Sequence, residues 1–474
     1  MSIKIYNSLT RKKEDFVSIE PKKVKIYACG VTVYDDCHIG HARSLLIFEI
    51  IRRYFKYKGY EVTFVRNITD IEDKIIAKAD KLGVSAKELS EKYISSYYND
   101  LEYLGIPKAD LEPKATEHIA EMIEAIGILI KNGYAYAAGS DVYFNIEKFK
   151  NYGRLSNQNL DQMRSSVRIE QDRRKKNPLD FALWKTAKIN EPKWPSPWGQ
   201  GRPGWHIECS VMSAKYLGET FDIHGGGRDL IFPHHENEIA QSEALNGKAF
   251  VKYWMHHGLV TINSQKMAKS LGNSLTIKDA FSRYHPNALK LLFLSSHYSS
   301  SVDFTEDKIQ EFDKARKKID MFYDRLAFYL PSLNSTDRGN LTSWAKEIRR
   351  EIKKTRQAFE DAMDDDFNTA NALAVLFGFL DKTSEFLSLN DDQRRTAFGL
   401  SAFLVAELCN CLCLSVNNTR ADIDEGYISK KIEERNKAKE AGDFKKADKI
   451  RGELEEEGII LEDTKDKKTI YRRK

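Results

Sequence analysis

Cysteine and long apolar runs are both scarce in this sequence. Six cysteines lie at irregular spacing among 474 residues, which excludes the dense disulfide framework of a small secreted protein. No stretch approaches the roughly 18 uncharged apolar residues that a membrane helix needs, and the first residues lack the apolar core of a signal peptide. We therefore expect a cytoplasmic protein without a membrane partner, in which a cysteine grouped with histidine is a metal ligand or a core residue.

A large excess of charge of one sign is also missing. Lys and Arg total 75 and Asp and Glu total 70, so the net charge of +5 is too small to identify a partner. The last 45 residues differ, because they hold 15 basic and 12 acidic side chains. Composition alone fits either a solvated helical tail or a small basic module that contacts a polyanion.

The order of predicted elements indicates an α/β half followed by an α half. Val24–Ala28 predicts a buried strand, Ala42–Lys58 a helix with one apolar side, and Glu61–Val65 the next strand. This order is the start of a parallel βαβ unit. From about residue 276 onward the pattern is almost wholly helical, with two helices in the charged tail.

The first motif with chemical meaning is His38-Ile39-Gly40-His41, which follows the first predicted strand. A glycine lets a ligand approach the backbone, and the N–H groups at a helix start favour anions. Two histidines three residues apart can donate to phosphate oxygens. Surface histidines at an ordinary helix start are the alternative, but the flanking strand and helix favour a phosphate site.

The second motif is the loop sequence KMAKS, residues 266–270. Its two lysines, Lys266 and Lys269, are three residues apart on a loop that also carries a glycine, so they can converge on a polyphosphate. Taken alone, the same residues also fit a solvated charged turn.

Four dispersed side chains have the chemistry of a zinc site. His234 and Glu238 are four apart in a predicted helix over 229–245 and so share one face of it. Cys209 lies on another predicted helix, and Cys29 ends the first predicted strand. Two thiolates, an imidazole and a carboxylate suit a borderline-soft ion. Buried cysteines more often only pack, so the spacing alone leaves both interpretations open.

The other cysteines and histidines receive milder interpretations. We expect Cys37 to pack beside the first motif, and Cys409, Cys411 and Cys413 to be ordinary thiols of an apolar helical stretch. His224 opens a triple-glycine turn and can face a substrate, whereas the histidines at 235, 256 and 257 only flank the candidate pocket.

Together these motifs resemble the cysteinyl-tRNA synthetases, a family of class I aminoacyl-tRNA synthetases. HIGH with a KMSKS-like loop is the signature pair of that class. The segments that carry the resemblance are CGVTVYDDCHIGHAR, RNITDIEDKII, PGWHIECSVMSAKYLG, DIHGGGRDLIFPHHENEIAQSEA, KMAKSLGN, AMDDDFNTANAL and AGDFKKADKIRGELEEEGIILEDT. They occur in the family's order and span essentially the whole chain.

The resemblance implies an α/β fold with four parts. A Rossmann-like parallel-sheet catalytic domain is expected over residues 1–260, with a connective segment inserted at about 110–200. A stem-contact region with the KMSKS-like loop follows over 261–335, then an all-α helical bundle over 336–415. A small C-terminal anticodon-recognition module is expected over 425–474.

The resemblance also implies the parts of the site. The implied ligands of one zinc ion per chain are Cys29, Cys209, His234 and Glu238. The implied ATP-binding residues, which act with a magnesium ion, are His38, Gly40, His41, Lys266 and Lys269, and of these the histidines and lysines are the expected catalytic groups. Candidate contacts to the amino acid are Thr69, Trp205 and His224.

The implied reaction joins L-cysteine to its tRNA in two steps. The cysteine carboxylate attacks the α-phosphorus of ATP, and the cysteinyl group then passes to the terminal adenosine of the tRNA. The nucleophile is already ionised, so the enzyme must mainly position two anions and stabilise the charge on the pyrophosphate. We hypothesise that the substrate sulfur binds the zinc ion directly, with Glu238 the ligand that loosens. ATP, L-cysteine and tRNA are the expected partners of a monomeric enzyme.

Two residues depart from the family pattern. Ala268 replaces the usual serine of the loop, which removes a hydroxyl but keeps both lysines, and Tyr471 stands where the family often has tryptophan.

Three other functions fit the sequence less well. A ligase that couples cysteine to an amino sugar would lack the charged end module. A zinc hydrolase would lack the KMSKS-like loop, and a non-catalytic paralogue would be expected to lose a HIGH histidine or both loop lysines.

Overall fold

A computed structural model describes residues 2–159, 163, 174–267, 272–329, 343–415, 425–456, 459–463 and 469–473. The chain divides into two compact units. The first comprises Met1–Pro286, Ser296–Phe304 and Asp365–Phe367. The second comprises Asn287–Ser295, Thr305–Asp364 and Asn368–Lys474.

Short strands and longer helices alternate in the first unit. Its strands are β1 (Lys4–Asn7), β2 (Lys12–Asp15), β3 (Lys23–Thr32), β4 (Glu61–Thr69), β5 (Ala135–Ala138), β6 (Asp141–Phe144), β7 (Phe181–Thr186), β8 (Gly201–Pro203), β9 (Phe221–Gly227), β10 (Val251–His257), β11 (Val260–Ile262), β12 (Gln265–Lys266) and β13 (Val302–Phe304). Its helices are α1 (Ile39–Tyr57), α2 (Asp73–Leu82), α3 (Ala86–Tyr103), α4 (Ile119–Lys131), α5 (Trp205–Leu217), α6 (Glu236–Asn246) and α7 (Ile277–Phe281).

The centre of this unit is a parallel four-stranded sheet with the order β10-β9-β3-β4. β3 pairs with β4 on one side and with β9 on the other, so the order of the strands reverses between β3 and β9. In open α/β sheets, ligands bind outside the carboxyl ends of the strands at such a switch point. The predicted Rossmann-like α/β fold is therefore confirmed, and its topology places the candidate site.

Local sequence explains why α1 lies against this sheet. Leu46, Ile50 and Tyr54 are four residues apart, fully buried, and form one apolar stripe along the helix. The helix begins at Ile39 rather than at the predicted residue 42, because the His38 side chain accepts a hydrogen bond from the Gly40 N–H and caps the first turn. The HIGH motif is thus the first turn of the helix itself.

Besides the parallel sheet and the β1–β2 pair, the described residues of this unit form two further sheets. The first is antiparallel with the order β5-β6-β7-β8, and Phe144, Leu183 and Trp184 of its strands are buried. The segment 187–204 is rich in proline, tryptophan and glycine, which is typical of a loop, but its last part pairs as β8 because Arg202 and Pro203 lie opposite Lys185 and Trp184. In the second sheet, β11 pairs in parallel with β13 and in antiparallel with β12.

The second unit is helical and ends in a small hairpin. Its helices are α8 (Pro286–Leu294), α9 (Glu306–Tyr329), α10 (Ser343–Asp364), α11 (Thr369–Thr383), α12 (Asp391–Cys411), α13 (Glu425–Glu440) and α14 (Phe444–Glu456), and its strands are β14 (Ile459–Asp463) and β15 (Thr469–Arg473). The predicted helical bundle and the two tail helices are confirmed. The hairpin was not predicted, because few apolar residues mark it: Ile459 and Leu461 of β14 are buried, and Tyr471 packs against their cluster. Residues 416–424, between the predicted bundle and the predicted end module, lie outside the described residues.

Cys37, which was predicted to pack, is buried, and so are the three thiols of the apolar helical stretch, Cys409, Cys411 and Cys413. Cys37 lies beside α3, where burial and the neighbouring Asp100 raise the pKa of its thiol. Asp100 is itself buried, and burial together with Asp36 raises the pKa of its carboxyl to about 7.

No helix among the described residues has both the length and the apolarity to cross a membrane.

Replacing Asp100 by Asn is expected to remove a pH dependence of stability. The folded pKa of about 7 lies above that of an unfolded chain, so the stabilisation from the protonated carboxyl is lost as pH rises from about 4 to about 7. We expect the wild type to lose about 1–2 kcal/mol of unfolding free energy over that range relative to Asp100→Asn. Urea denaturation at pH 5 and pH 8 measures this difference, and equal pH slopes for the two proteins would contradict it.

Candidate metal centre and nucleotide site

Four predicted ligands from distant parts of the chain meet at the switch point of the parallel sheet. The ligand atoms of Cys29, Cys209, His234 and Glu238 all lie within 4.8 Å of one another. The two sulfur atoms are 3.9 Å apart, close to the edge of about 3.8 Å that two Zn–S bonds of 2.3 Å subtend in a tetrahedron. Nε2 of His234 lies 2.9 Å from Oε1 of Glu238. These atoms can share one ion.

The backbone at two of these ligands differs from its prediction. Cys29 does not end its strand, because β3 continues to Thr32 through an irregularity in its pairing with β4 between Ala28 and Val31. His234 does not lie in a regular helix, because Phe232 has extended backbone angles and α6 begins only at Glu236. The predicted helix over 229–245 is therefore wrong at its start, although the His234 and Glu238 side chains still meet.

A second group of four side chains shares two members with the first. Cys29 and Glu238 also lie within 4.8 Å of His224 and His235. His224 Nε2 is 2.7 Å from Oε2 of Glu238, and His235 Nε2 is 3.2 Å from the Cys29 sulfur. Oε2 of Glu238 faces His224, whereas Oε1 faces His234 and Cys29 and lies 4.0 Å from Nε2 of His235. The second group offers one thiol instead of two, so it is the less suitable set for a thiophilic ion.

An outer ring of histidines orients the ligands. Nδ1 of His206 lies 2.9 Å from Nδ1 of His234, so the ring nitrogen of His234 that faces away from Glu238 has a partner. His235 Nδ1 lies 2.8 Å from Nε2 of His256, whose Nδ1 lies 2.8 Å from the Ser8 hydroxyl. Partners of this kind fix the tautomer and orientation of a metal-binding imidazole.

The electrostatics of the cluster favour ionisation of one of its two thiols. A hydrogen bond from the Cys29 thiol, aided by His234, lowers the pKa of Cys209 to about 6 against the opposing effect of burial. The pKa of Cys29 is well above its usual value, because burial and the neighbouring Cys209 both disfavour a second thiolate. Burial opposes protonation of His234, but Glu238 and Cys209 raise its pKa to about 10. Such clustered negative charge attracts a cation, and a metal deprotonates the thiols that coordinate it.

The HIGH residues form a compact donor pair at the start of α1. The rings of His38 and His41 stack with centroids 3.8 Å apart. Nδ1 of His38 accepts from the Gly40 N–H and Nδ1 of His41 accepts from the His38 N–H, both at 3.1 Å. Each ring therefore carries its proton on Nε2, which makes that atom a hydrogen-bond donor suited to phosphate oxygens.

The KMSKS-like motif lies next to HIGH. Lys266 is the exposed last residue of β12, and a Cβ at Gly40 would come within 3.1 Å of the Met267 methyl group. A Cβ at position 40 would also lie 2.9 Å from the His38 ring, so glycine leaves room for that ring in the first turn of the helix. The other lysine of the motif, Lys269, lies outside the described residues with Ala268 and Ser270.

The three candidate contacts to the amino acid lie in or beside the metal cluster. The Trp205 ring stacks on His234 with centroids 4.1 Å apart and lines a cleft of about 380 Å³ that also includes His206, Phe232 and Lys185. Thr69 is buried and donates its hydroxyl hydrogen to Oε2 of Glu208 at 3.1 Å. His224 is fully buried, and its Nδ1 has no hydrogen-bond partner among the described residues.

Sequence reasoning missed three parts of this arrangement. It left His235 and His256 as flanking residues and did not single out His206, although all three contact the ligands or their partners. The signal that could have found them is the density of histidine around the motifs, with pairs at 234–235 and 256–257. A histidine that is buried in a core normally has a hydrogen-bond partner. Three histidines near two cysteines therefore indicate a polar network.

Comparisons with known proteins agree with this geometry. A family model described as the catalytic domain of class I (C) tRNA synthetases matches residues 15–314, and a DALR domain matches residues 358–415. The cysteine–tRNA ligase of Thermodesulfovibrio yellowstonii is 50% identical, with 99% of each chain covered. That of Geobacter sulfurreducens is 47% identical, with 98% of each chain covered.

Solved structures of other synthetases share the fold. Mycobacterium tuberculosis methionyl-tRNA synthetase, solved in complex with methionyl-adenylate, matches with a TM-score of 0.64 at 14% identity and covers 82% of this chain and 91% of its own. A putative arginyl-tRNA synthetase from Campylobacter jejuni matches with a TM-score of 0.55, also at 14% identity, covering 83% of this chain and 94% of its own. At this identity the likeness concerns the fold alone.

Proposed function

This chain belongs to the cysteine–tRNA ligases, a family of class I aminoacyl-tRNA synthetases, and on that basis we propose a role for each group of its site. The enzyme activates L-cysteine with ATP to cysteinyl-adenylate and pyrophosphate, and then transfers the cysteinyl group to the terminal adenosine of its tRNA. The observation that supports the residue roles best is the convergence of two thiols, an imidazole and a carboxylate on one point.

We propose that Cys29, Cys209, His234 and Glu238 hold one zinc ion per chain. The donor set fits, because two sulfurs with a nitrogen and an oxygen suit zinc and because the pKa of Cys209, about 6, makes it a thiolate at neutral pH. When bound, zinc supplies a soft Lewis acid that favours the thiolate of cysteine over the harder hydroxyl of serine. His224 holds Oε2 of Glu238, so that the other carboxylate oxygen faces the sulfur ligands.

Discrimination against serine explains why such a site is needed. Serine differs from cysteine by oxygen in place of sulfur, and an apolar pocket separates close analogues by only ~1–3 kcal/mol. A preference of ~10⁴-fold requires roughly 5.5 kcal/mol. Packing alone falls short of that value, and the four proposed ligands supply the remainder through the sulfur preference of the ion they hold.

Four basic side chains are proposed to act on the phosphates of ATP. The Nε2 donors of His38 and His41, with Lys266 and Lys269 and a magnesium ion, stabilise charge that builds on the departing pyrophosphate. Gly40 allows the nucleotide close to the first turn of α1, where the N–H groups favour anions. No general base is required, because the attacking carboxylate is already ionised.

Three residues are proposed to orient the amino acid. Trp205 covers the His234 ring and forms a wall of the cleft beside the metal ligands. The hydroxyl of Thr69 is oriented by its hydrogen bond to Glu208. His224 is fully buried and contacts the carboxylate of Glu238. Together these side chains enclose a ligand with a small thiol-bearing side chain.

The remaining parts of the chain are proposed to serve the tRNA. Residues 261–335 form the stem-contact region, 336–415 the helical bundle and 425–474 the anticodon-recognition module, where the excess of basic residues suits a polyanion. Residues 1–260 form the catalytic domain with the connective segment at about 110–200. We also propose a monomeric enzyme, and a cytoplasmic location in keeping with its few, unpaired cysteines.

Cysteine-dependent charging of tRNA tests this function. We expect charging to require ATP, to be lost with a zinc chelator and restored by added zinc, and to be little affected by a ~10²-fold molar excess of serine, at which a ~10⁴-fold preference leaves serine about 1% of the product. An amino sugar serves as the control acceptor. Acceptance of cysteine by the amino sugar but not by tRNA, or charging that is indifferent to zinc removal, would contradict the proposal.

A further inference from the structure

A buried arginine joins the HIGH helix to the base of the KMSKS-like hairpin. Arg43 lies in α1 two residues after His41 and has no exposed surface. One terminal nitrogen donates to the carbonyl oxygens of Gly258 and Leu259, at 2.8 and 3.1 Å. The other donates to those of Tyr298 and Ser300, at 3.3 and 2.5 Å.

These four carbonyls belong to the two backbone segments that begin the β11–β12–β13 sheet. Residues 258 and 259 join β10 to β11, and residues 298–300 lead into β13. The segments touch, because a Cβ at Gly258 would lie 2.3 Å from the Ser300 carbonyl oxygen. The guanidinium thus ties together the strand that leads into the hairpin and the strand that pairs with it.

The other end of the hairpin is tied to the same helix start by backbone bonds. The Ile39 N–H donates to the Leu275 carbonyl at 3.0 Å, and the Ile277 N–H donates to the Cys37 carbonyl at 2.8 Å. Both stems of the segment that carries Lys266 and Met267 are therefore fixed to the HIGH element. The stem at residues 275–277 is held by backbone hydrogen bonds, and the stem at residues 258–259 is held by the Arg43 side chain.

Burying a charge without a carboxylate is costly, which argues against a purely space-filling role. All four acceptors of Arg43 are neutral carbonyls, and burial lowers the pKa of its guanidinium to about 10. An apolar side chain of similar volume would fill the space without that cost. The planar guanidinium, by contrast, donates its hydrogen bonds in fixed directions, so it can hold two pairs of carbonyls at once.

We propose that Arg43 is a positioning residue for the activation step: it sets the hairpin that carries Lys266 and Met267 at the distance from His38 and His41 that pyrophosphate departure requires. The inference rests on the proposed function, in which both motifs contact ATP. Amino-acid transfer to tRNA does not involve the pyrophosphate, so Arg43 influences the first step more than the second.

Arg43→Lys and Arg43→Gln test this role. Rate constants per active site are measured for adenylate formation by pyrophosphate exchange, and for transfer to tRNA from chemically supplied cysteinyl-adenylate. We expect adenylate formation to fall about 10²-fold in Arg43→Gln, with the lysine variant intermediate, because an ångström of misplacement has effects of that size. We expect zinc content, the KM for cysteine and the transfer step to change less than threefold.

A matched control separates positioning from loss of stability. Arg394 in α12 is equally buried and also donates to a backbone carbonyl, that of Leu389, so Arg394→Lys removes a comparable contact far along the chain. We expect it to lower the melting temperature without slowing adenylate formation. Equal slowing of both steps in the Arg43 variants, or normal adenylate formation in them, would overturn the proposal.

Met267→Ala keeps the proposal testable if the Arg43 variants do not fold. It removes the methyl group that lies against Gly40 and leaves the buried charge in place. We expect a several-fold loss in adenylate formation with normal transfer, and wild-type kinetics would overturn the proposal. Failure of the proposed function is distinguishable, because the wild type itself would then show no cysteine-dependent exchange.

Discussion

Cys209→Ser is expected to abolish retention of the metal and to raise the KM for cysteine by about 10²–10³-fold, which is about 3–4 kcal/mol. The serine oxygen cannot replace a thiolate as a soft ligand, and of the two thiols in the cluster Cys209 is the one whose pKa is lowered. The KM for ATP should change less than threefold, because the proposed nucleotide contacts belong to α1 and the KMSKS-like motif rather than to the metal ligands. Metal content by mass spectrometry and the two KM values measure the effect.

A buried cysteine outside the cluster supplies the control for this experiment. Cys409 lies in α12, where burial raises the pKa of its thiol to about 12 and keeps it protonated. Cys409→Ser should retain the metal and bind cysteine normally. A Cys209→Ser protein that kept both its metal and its affinity for cysteine would refute the assignment of the ligand.

Lys269→Ala is expected to slow adenylate formation by roughly 10²–10³-fold with little change in the KM for cysteine. In the role proposed for it, the loop lysine stabilises charge that exists only as pyrophosphate departs, so its loss should affect the rate of the step and not the binding of the amino acid. Pre-steady-state measurement of adenylate formation at saturating cysteine gives the rate constant directly.

Lys248→Ala serves as the matched control, because this exposed lysine forms a surface ion pair with Glu219. Surface pairs of this kind contribute little, and we expect wild-type kinetics from the control. Unchanged activation kinetics in Lys269→Ala would remove this lysine from the mechanism.

Much of the first unit could be predicted from local pattern. The strand and helix that flank HIGH follow from runs of buried apolar residues, and the predicted β3, α1 and β4 all occur. The errors lie where a short element depends on a distant partner. β8 exists because it pairs with β7, and β14 exists because β15 lies opposite it. A strand of three to five residues carries too little local information to be recognised without its partner.

The candidate site could be predicted in its chemistry but not in its full membership. Residue type alone identified the thiols, imidazoles and carboxylate that suit zinc. It selected His234 and left the adjacent His235 as a flanking residue, because only the folded backbone, with extended angles at Phe232, brings both rings toward Glu238. Arg43 was not singled out at all, since a lone arginine on a helix is normally a surface residue.

The sequence by itself determined which chemical groups are available and which local elements carry them, because side-chain chemistry and short-range periodicity are properties of the residues. Only the tertiary structure decided that Cys29 meets a cysteine 180 positions away and that a guanidinium reaches backbone more than 200 positions away. The physical reason is that the placement of β3 between β4 and β9 is stabilised by contacts between distant residues, whose energy no local stretch of sequence contains.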